Sequence, residues 1–176
     1  MSNPLQQLIN QARTIGLVLL LAVLFTQLTA CGWRLRGSYD FPKTMETVFV
    51  KGTARYSDLG NAIHNALQGT NAKPVGDVAQ AQAILQILAD KSDQRILSTD
   101  SSGRASEYEV SYQLRFKLVD LTGKEMVPEQ TITAKREYRF NPSNVLASGS
   151  EVDKLKKDML RQAVQQMLRR LHSYLK

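Results

Sequence analysis

The chain has 176 residues and a formal net charge of +7, which gives a pI of about 9.6. Once a leader segment is set aside, this length suits one domain with one hydrophobic core. A single cysteine excludes an internal disulfide, and the sequence contains no internal repeat and no low-complexity segment.

An apolar run near the N-terminus indicates a secretory signal peptide. Residues 15–25 are almost entirely aliphatic and carry no charge, and Arg13 stands just before them. A basic residue, an apolar core and small residues at the cleavage position are the pattern of such a signal. The apolar core is too short, and is followed too soon by polar residues, to be a comfortable membrane span. We therefore assign residues 1–30 to a signal peptide.

The end of this segment indicates a site of lipid attachment. Leu28-Thr29-Ala30-Cys31 has the form of a bacterial lipobox, in which the thiol takes a diacylglycerol and the new N-terminus is then acylated. The only cysteine of the chain lies at the one position that this chemistry requires. The alternatives are an ordinary signal peptide with a chance cysteine, or an anchored N-terminal helix. We predict that Cys31 is lipidated and expect no other cofactor.

Lipidation of Cys31 has consequences for charge and location. The mature chain, residues 31–176, would carry a net charge of +6, because Arg13 is the only charge removed. Three acyl chains hold a protein firmly to a bilayer, whereas one does so only marginally. Glycine rather than aspartate follows the cysteine, which in lipoproteins generally leaves the molecule free to be exported. We therefore expect a lipid-anchored protein of the outer membrane.

The first residues of the mature chain are expected to be a tether. Within residues 31–42, Trp33 is suited to a membrane interface, and Arg34 and Arg36 are suited to anionic headgroups or a protein partner. The alternative is a tether whose tryptophan simply packs on the domain.

The first half of the domain shows a strand, a helix and a second strand. The strand is expected over residues 46–51, which are rich in β-branched and aromatic side chains. Ser57 can cap a helix whose apolar positions share one face, and Gly69 ends it. Residues 73–77 are expected to form a turn, and a central strand follows over residues 83–89.

The clearest pattern is a pair of alternating strands joined by a short turn. A polar loop at residues 98–103 precedes a strand over residues 107–118, in which every second residue is apolar, and the return strand alternates over residues 131–140. The apolar residues of both strands have even numbers, so paired residue numbers must sum to an even value, which excludes a two-residue loop. A three-residue loop with Gly123 left-handed, followed by a bulge, meets this condition.

This register predicts which charges meet across the two strands. The predicted opposite-charge pairs are Asp120 with Lys124, Arg115 with Glu129, and Glu109 with Lys135. The same register sets Glu107 against Glu137, which counts against it. Pro128 has no N–H, so the return strand is expected to be a sheet edge or a bulge at that point.

The C-terminal segment is expected to be the longest helix. Ser150-Glu151-Val152-Asp153 is a capping box, which places the start of the helix. The apolar stripe is wider than a coiled-coil seam and suits a helix lying on a sheet, while the other face is basic. The stripe comprises Val152, Leu155, Met159, Leu160, Ala163, Val164, Met167, Leu168, Leu171 and Leu175.

These elements predict one α+β domain over residues 43–176. Their order is β-α-β-β-β-α, with two helices packed on one face of a four-stranded, mostly antiparallel sheet. The other face of the sheet is polar and stays open. A lipoprotein with an open polar sheet and a basic surface is suited to contact something large and charged.

The sequence offers little support for an enzyme. His64 and His172 lie on helices, far in sequence from acidic or nucleophilic clusters, where a histidine is usually a surface or boundary residue. Glu107 and Glu109 share a strand face but lie among solvent-facing residues, and paired carboxylates need a cleft to act as acid and base. The sequence shows no metal-ligand spacing, phosphate loop or nucleophile motif. We predict no catalytic and no metal site.

The basic charge favours an anionic amphiphile or a protein as partner. Nucleic acid is disfavoured by the compartment, and the alternating aromatic residues lie on the core face rather than exposed for stacking on bases. Arginine and lysine bind phosphates through charge-assisted hydrogen bonds. The candidates are Lys135 and Arg139 on one face of the return strand, Arg136 near its edge, and Arg104 in the preceding loop. The alternative is that these are solvated strand charges paired with Glu109 and Glu107.

Four short motifs carry a family resemblance. They are Cys31-Gly32-Trp33-Arg34-Leu35-Arg36, Gly103-Arg104-Ala105-Ser106-Glu107-Tyr108, Ile132-Thr133-Ala134-Lys135 and Asn141-Pro142. In their order and spacing they resemble the LptE family of lipopolysaccharide-assembly lipoproteins, formerly the rare lipoprotein B family. The resemblance covers most of the mature chain.

This resemblance implies a specific function. It implies an outer-membrane lipoprotein that plugs the lumen of the β-barrel LptD, helps that barrel to assemble and contacts lipopolysaccharide during its final insertion. Lys135 matches a lysine that the family is thought to use for lipopolysaccharide. The family's basic residue in the preceding loop would fall at Ser101 here, so that contact depends on Arg104 replacing it. The alternative function is a generic lipoprotein adaptor that scaffolds envelope proteins and never contacts glycolipid.

Overall fold

The structure of the chain is a computed structural model, which describes Gly16, residues 39–140 and residues 145–176. The chain divides into two units, Met1–Arg36 and Gly37–Lys176, and the second unit is the α+β domain. The predictions for the lipobox, for residues 31–38 and for the turn at residues 141–142 lie outside the described residues. Among the residues that the structure does describe, no helix is both long and apolar enough to cross a membrane.

The domain contains two helices and one sheet, which confirms the predicted α+β class. The strands are β1 (Thr47–Lys51), β2 (Lys73–Val75), β3 (Ala83–Thr99), β4 (Ala105–Asp120) and β5 (Glu125–Arg139), and the helices are α1 (Asp58–Gln68) and α2 (Val145–Leu175). Short 3₁₀ helices lie at Lys43–Met45 and Val78–Gln80.

The sheet differs from the prediction in its strand count. It has five strands in the order β2-β1-β3-β4-β5, with β1 parallel to both β2 and β3 and the other neighbours antiparallel. The expectation of four mostly antiparallel strands was therefore wrong. The extra strand is β2. Pro74 within it and Gly76 just after it gave this segment the sequence pattern of a turn. An edge strand tolerates proline, and β2 pairs with β1 through Lys73, whose N–H donates to the Glu46 carbonyl at 2.7 Å.

Strand β3 is also longer than its apolar segment. It runs to Thr99, whereas the prediction ended it at residue 89. Residues 90–96 pair with β4, from Asp90 opposite Leu114 to Ile96 opposite Tyr108. These residues are mostly polar, so the ladder of hydrogen bonds to β4, rather than apolar periodicity, keeps them extended.

The turn between β4 and β5 confirms part of the predicted register. Gly123 has φ +86°, and the Asp120 N–H donates to the Lys124 carbonyl at 2.9 Å around a three-residue loop. Irregular steps at Phe116/Leu118 and Leu118/Val119 then shift the register by two residues. Pro128 lies within this irregular part of an edge strand, as its missing N–H predicted.

The shift changes which residues face each other. Glu109 lies opposite Glu137 and Glu107 opposite Arg139, so the predicted opposition of Glu107 and Glu137 was wrong. Two predicted ion pairs form nevertheless, as diagonal contacts: Arg115 with Glu129 and Lys135 with Glu109, each at 3.3 Å. Each side chain stays on its predicted face because the shift is an even number of residues.

Helix α1 begins and ends where the sequence predicted. The Ser57 hydroxyl accepts a hydrogen bond from the Gly60 N–H at 3.0 Å, and Gly69 is the C-terminal cap. Leu59 and Ile63 of its apolar face are buried, as is Leu67. A Cβ at position 60 would lie 2.1 Å from the Ala54 carbonyl oxygen, so this close approach of the backbone requires glycine.

Helix α2 begins earlier than predicted. It starts at Val145, so Ser150 lies inside the helix and the expected capping box was wrong. Packing explains the extension, since Ser148 in the additional turn is only 5% exposed. The predicted stripe is confirmed, with its most buried members being Met159, Ala163, Val164, Met167, Leu168 and Leu171.

One core lies between the helices and one face of the sheet. Its largest buried side chains include Leu85, Leu114, Phe116 and Ile132 from the strands. The core also takes in Phe41, which precedes the expected domain start at residue 43 and lies edge-on to the ring of His172, 6.0 Å between centroids. His172 is thus a boundary residue that packs on aromatic rings.

Candidate functional site

The side of β3, β4 and β5 that faces away from both helices is polar, as predicted. We call this surface the open face. Alternation along the three strands places on it Lys91, Asp93, Arg95, Ser98, Glu107, Glu109, Ser111, Gln113, Arg115, Lys117, Thr131, Thr133, Lys135, Glu137 and Arg139. Successive side chains of a strand point to opposite faces of the sheet, so each residue on the open face has core-facing residues as its neighbours in the strand.

Glu109 is the centre of a charge cluster on the open face. Its Oε1 accepts from Arg95 Nε at 2.9 Å and from Lys135 Nζ at 3.3 Å. These three residues come from three adjacent strands, and the two cations cover Glu109 so that it is only 9% exposed. The hydrogen bond from Arg95, aided by the one from Lys135, holds the pKa of Glu109 below its ordinary value, although partial desolvation opposes it.

A second pair lies beside the first. Arg139 Nε donates to Glu107 Oε1 at 2.8 Å, and the Ser98 hydroxyl donates to Glu107 Oε2 at 3.0 Å. The Arg139 hydrogen bond is the main reason that the pKa of Glu107 is below its ordinary value. The structure thus brings two of the predicted phosphate-binding residues, Lys135 and Arg139, onto one surface.

Arg104 is held within its own loop. Asp100 accepts from the backbone N–H of Ser102 at 2.8 Å and of Arg104 at 3.0 Å, and from Arg104 Nε at 3.1 Å. These bonds, above all the backbone bond from Arg104, lower the pKa of Asp100. Arg104 is therefore a cation at the tip of the β3–β4 hairpin whose ion pair is with Asp100.

Arg136 lies apart from the other candidates. Its side chain starts on the helix side of β5 and reaches round the strand edge, as the sequence suggested. Its guanidinium donates to the Lys135 carbonyl at 2.9 Å and to Gln162 of α2 at 2.8 Å.

The cluster around Glu109 can still bind an anion. Two cations share the Glu109 carboxylate, and Glu137 lies opposite Glu109 on the same face, so an anion would bind through the free donors of the cations rather than through an excess of charge. The side chains of Arg95 and Lys135 are 62% and 56% exposed, so each keeps donors directed to solvent. Phosphate oxygens can take such donors in charge-assisted hydrogen bonds.

Sequence reasoning missed Arg95 as a member of this cluster. Residues 90–97 were not assigned to a strand, so nothing placed Arg95 beside Glu109. Asp90, Ser92 and Gln94, which alternate with Lys91, Asp93 and Arg95, are polar as well, so this part of the strand gives no alternation signal in the sequence.

The described residues show no cluster of metal-binding side chains. Within residues 39–140 and 145–176, no group of three or more histidine, cysteine, aspartate or glutamate side chains could hold a metal ion. The Tyr112 hydroxyl donates to Asp90 at 2.7 Å, and burial raises the pKa of Tyr112 above its ordinary value. Tyr112 is therefore a structural hydrogen-bond donor at neutral pH.

Comparison with known sequences identifies relatives over most of the chain. The family model described as LptE, lipopolysaccharide-assembly, matches residues 45–171. A lipoprotein named LPS-assembly lipoprotein LptE, from Pectobacterium atrosepticum, is 29% identical over 160 residues, covering 90% of this chain and 85% of the relative. A protein of the same name from Yersinia pestis is 28% identical over 160 residues, covering 90% of this chain and 75% of the relative.

Solved structures share the fold. Lipoprotein B from Nitrosomonas europaea has a TM-score of 0.68 and 32% identity, covering 81% of this chain and 92% of its own. Rare lipoprotein B from Shewanella oneidensis has a TM-score of 0.61 and 26% identity, covering 72% of this chain and 94% of its own. Both are similar to this chain across the α+β domain.

Proposed function

We propose that this chain, which belongs to the lipopolysaccharide-assembly family LptE, is an outer-membrane lipoprotein anchored through Cys31. In this proposal the domain occupies the lumen of the β-barrel LptD, helps that barrel to assemble and contacts lipopolysaccharide during its insertion at the cell surface. No catalytic step is part of this function.

The polar open face supports a location inside a barrel. The interior of a large outer-membrane barrel is polar, because its strands alternate between lipid-facing and lumen-facing residues. A sheet whose outer side carries serine, threonine, glutamine and charges of both signs can be covered by such a wall without leaving apolar surface exposed to water. A lipid anchor keeps the domain at the membrane that holds the barrel.

The observation that carries the glycolipid contact is the cluster around Glu109. Lipopolysaccharide presents phosphates and carboxylates beside acyl chains. Arg95 and Lys135 both donate to Glu109 and both remain more than half exposed, so a phosphate can bind on their outer side. Arg139, which lies on the same face of β5 as Lys135 and has 87% side-chain exposure, is a third candidate, and Arg104 at the hairpin tip is a fourth.

Purification of the lipidated protein from outer membrane tests the proposal. A stoichiometric β-barrel partner that remains bound through detergent extraction supports the barrel role. Binding of purified lipopolysaccharide, reduced when its phosphates are removed enzymatically, supports the glycolipid role. If dephosphorylated lipopolysaccharide binds equally well, the charge cluster does not bind lipopolysaccharide through its phosphates.

An adaptor that scaffolds envelope proteins without contacting glycolipid is the second candidate. The observation in its favour is that Arg95, Lys135 and Arg139 each already pair with a carboxylate of the sheet. Such an adaptor would retain its protein partners but bind lipopolysaccharide no better than an unrelated basic protein. The two measurements above therefore separate the two functions.

A further inference from the structure

Strand β5 forms an edge of the sheet. It is 15 residues long, and the sheet order places β4 on one side of it and no strand on the other among the described residues. An edge strand presents a row of backbone N–H and C=O groups that can pair with a strand of another chain. Most natural edges carry a feature that prevents this pairing.

The register shows which residues of β5 direct their backbone groups outward. The N–H of Phe140 donates to the Ser106 carbonyl at 2.9 Å, and the pairing is regular from Glu107 to Phe116 of β4. In an antiparallel pair, the N–H and C=O of one residue point the same way and alternate along the strand. Even-numbered residues of β5 therefore bond to β4. The outward residues are Thr131, Thr133, Lys135, Glu137 and Arg139.

Two of these outward carbonyls are already occupied by arginine side chains. Arg136 donates to the Lys135 carbonyl at 2.9 Å, and its second terminal nitrogen binds Gln162 of α2 at 2.8 Å. Arg170 of α2 donates to the Thr131 carbonyl at 2.9 Å. Both guanidinium groups therefore lie along the edge where a new strand would have to bond.

The edge would otherwise fit a second copy of this chain. Two β5 strands placed antiparallel, with Lys135 of each copy opposite Glu137 of the other, would form two opposite-charge pairs. Glu137 is available for this, because it forms no ion pair with any residue in the described part of the chain. The same pairing needs the Lys135 carbonyl as an acceptor, and it brings Arg136 of each copy against Arg136 of the other.

We propose that Arg136, held in place by Gln162, prevents the edge of β5 from pairing with a second copy of this chain. The guanidinium occupies the carbonyl that the dimer would use, and its charge repels its counterpart. Arg170 extends the same protection to Thr131. This role assigns Arg136 to the strand edge, in contrast to the glycolipid contact considered for Lys135, and it does not depend on the proposed function.

Variants that remove the Arg136 side chain or its support test this inference. The full-length lipidated protein is purified in detergent, and the mass of its protein component is measured by light scattering after size exclusion. Wild type is expected to be a monomer, and Arg136→Ala is expected to double the protein mass at the same concentration. Gln162→Ala, an exposed change that leaves the arginine but removes its support, is expected to give an intermediate fraction of dimer.

A proline variant identifies the surface that pairs. Because the N–H of Thr133 points outward, Thr133→Pro removes a donor that a second copy needs without breaking a bond to β4. Combined with Arg136→Ala, it is expected to restore the monomer. Hydrogen exchange measured by NMR adds a residue-level signature, since the outward amides of Lys135 and Glu137 should become protected only in the Arg136→Ala dimer.

Three outcomes would overturn the inference. A wild type that already dimerises through this edge shows that Arg136 does not prevent the pairing. A folded Arg136→Ala that stays monomeric at every concentration tested shows that the arginine is not what keeps the copies apart. A dimer that persists when Thr133→Pro is added, or that leaves the outward amides unprotected, pairs through another surface.

Discussion

Glu109 of β4 lies directly opposite Glu137 of β5, with both side chains on the open face. Like charges in this relationship destabilise a sheet when nothing compensates them. Here Arg95 and Lys135 both donate to Glu109, so its charge is more than balanced. The cluster therefore forms only when all three strands are in register.

The first prediction concerns the pH dependence of stability. Because the pKa of Glu109 is below its ordinary value near 4.5, its pairing stabilises the fold above that pH and is lost as pH falls through the lower folded-state pKa. Glu109→Gln should therefore lower the melting temperature at pH 7, and the difference from wild type should shrink as the pH falls below about 4.5. Thermal melts across this range measure it.

Glu46→Gln is the control for this titration, because Glu46 is exposed at the start of the sheet. It should melt like wild type at each pH. A difference between Glu109→Gln and wild type that stays constant down to pH 2 would show that the carboxylate charge does not stabilise the fold.

The second prediction concerns lipopolysaccharide. Lys135→Ala should weaken binding roughly tenfold to hundredfold, the value of losing one charge-assisted hydrogen bond to phosphate. Arg115→Ala is the matched control, since Arg115 is also an open-face cation paired with a glutamate, Glu129, but lies towards the other end of the strands. Both variants should remain folded, because single exposed cations contribute little to stability.

Binding measured on soluble protein with purified lipopolysaccharide distinguishes three results. Loss in Lys135→Ala alone supports a site at the Glu109 cluster. Equal loss in both variants indicates general electrostatic attraction, and wild-type binding in both favours the adaptor function.

The third prediction concerns the lipid anchor. Cys31→Ser should abolish lipidation and leave either an uncleaved precursor or a soluble species, because Trp33 and its neighbouring arginines attach a protein to a membrane far less firmly than acyl chains do. Labelling with radioactive palmitate measures this directly. Label incorporated by Cys31→Ser at the wild-type level would rule out Cys31 as the site.

The fourth prediction concerns the core beneath α2. Met167 is fully buried, so Met167→Ala should lower the free energy of unfolding by about 2–5 kcal/mol. Leu160 belongs to the same stripe but is only half-buried, so Leu160→Ala should cost less. Gln165→Ala, an exposed change on the same helix, should stay within about 0.5 kcal/mol of wild type. Urea titrations give the free energy of unfolding of the three variants. A Met167→Ala variant as stable as wild type would contradict the packing of α2.

The fifth prediction compares two helical glycines. Gly60→Ala should destabilise the domain, because the added Cβ would lie 2.1 Å from the Ala54 carbonyl oxygen. Gly149→Ala should stabilise it by about 0.5–1 kcal/mol, because in the described part of the chain no atom outside the adjoining residues and turns of the helix lies within 4 Å of an added Cβ, and alanine favours the helix. Melts that shift in the same direction for both variants would show that one of these local structures is wrong.

The sequence by itself determined the elements whose signal is local. The alternation over residues 107–118, the three-residue turn at Gly123 and the apolar stripe of α2 all follow from side chains that must be buried at a fixed period. The capped start of α1 at Ser57 is equally local, because one hydroxyl and one nearby N–H form it. Family resemblance, borne by short motifs, added the expected partners.

The tertiary structure alone decided the register of β5, the length of β3 and the place of Arg95 in the charge cluster. The irregular steps near Phe116 shift the pairing by two residues, and parity in the sequence cannot distinguish registers that differ by two. The polar half of β3 is held by backbone hydrogen bonds, which leave no pattern in side-chain identity. Arg95 therefore reaches Glu109 only because a polar segment without periodicity pairs with β4 over its whole length.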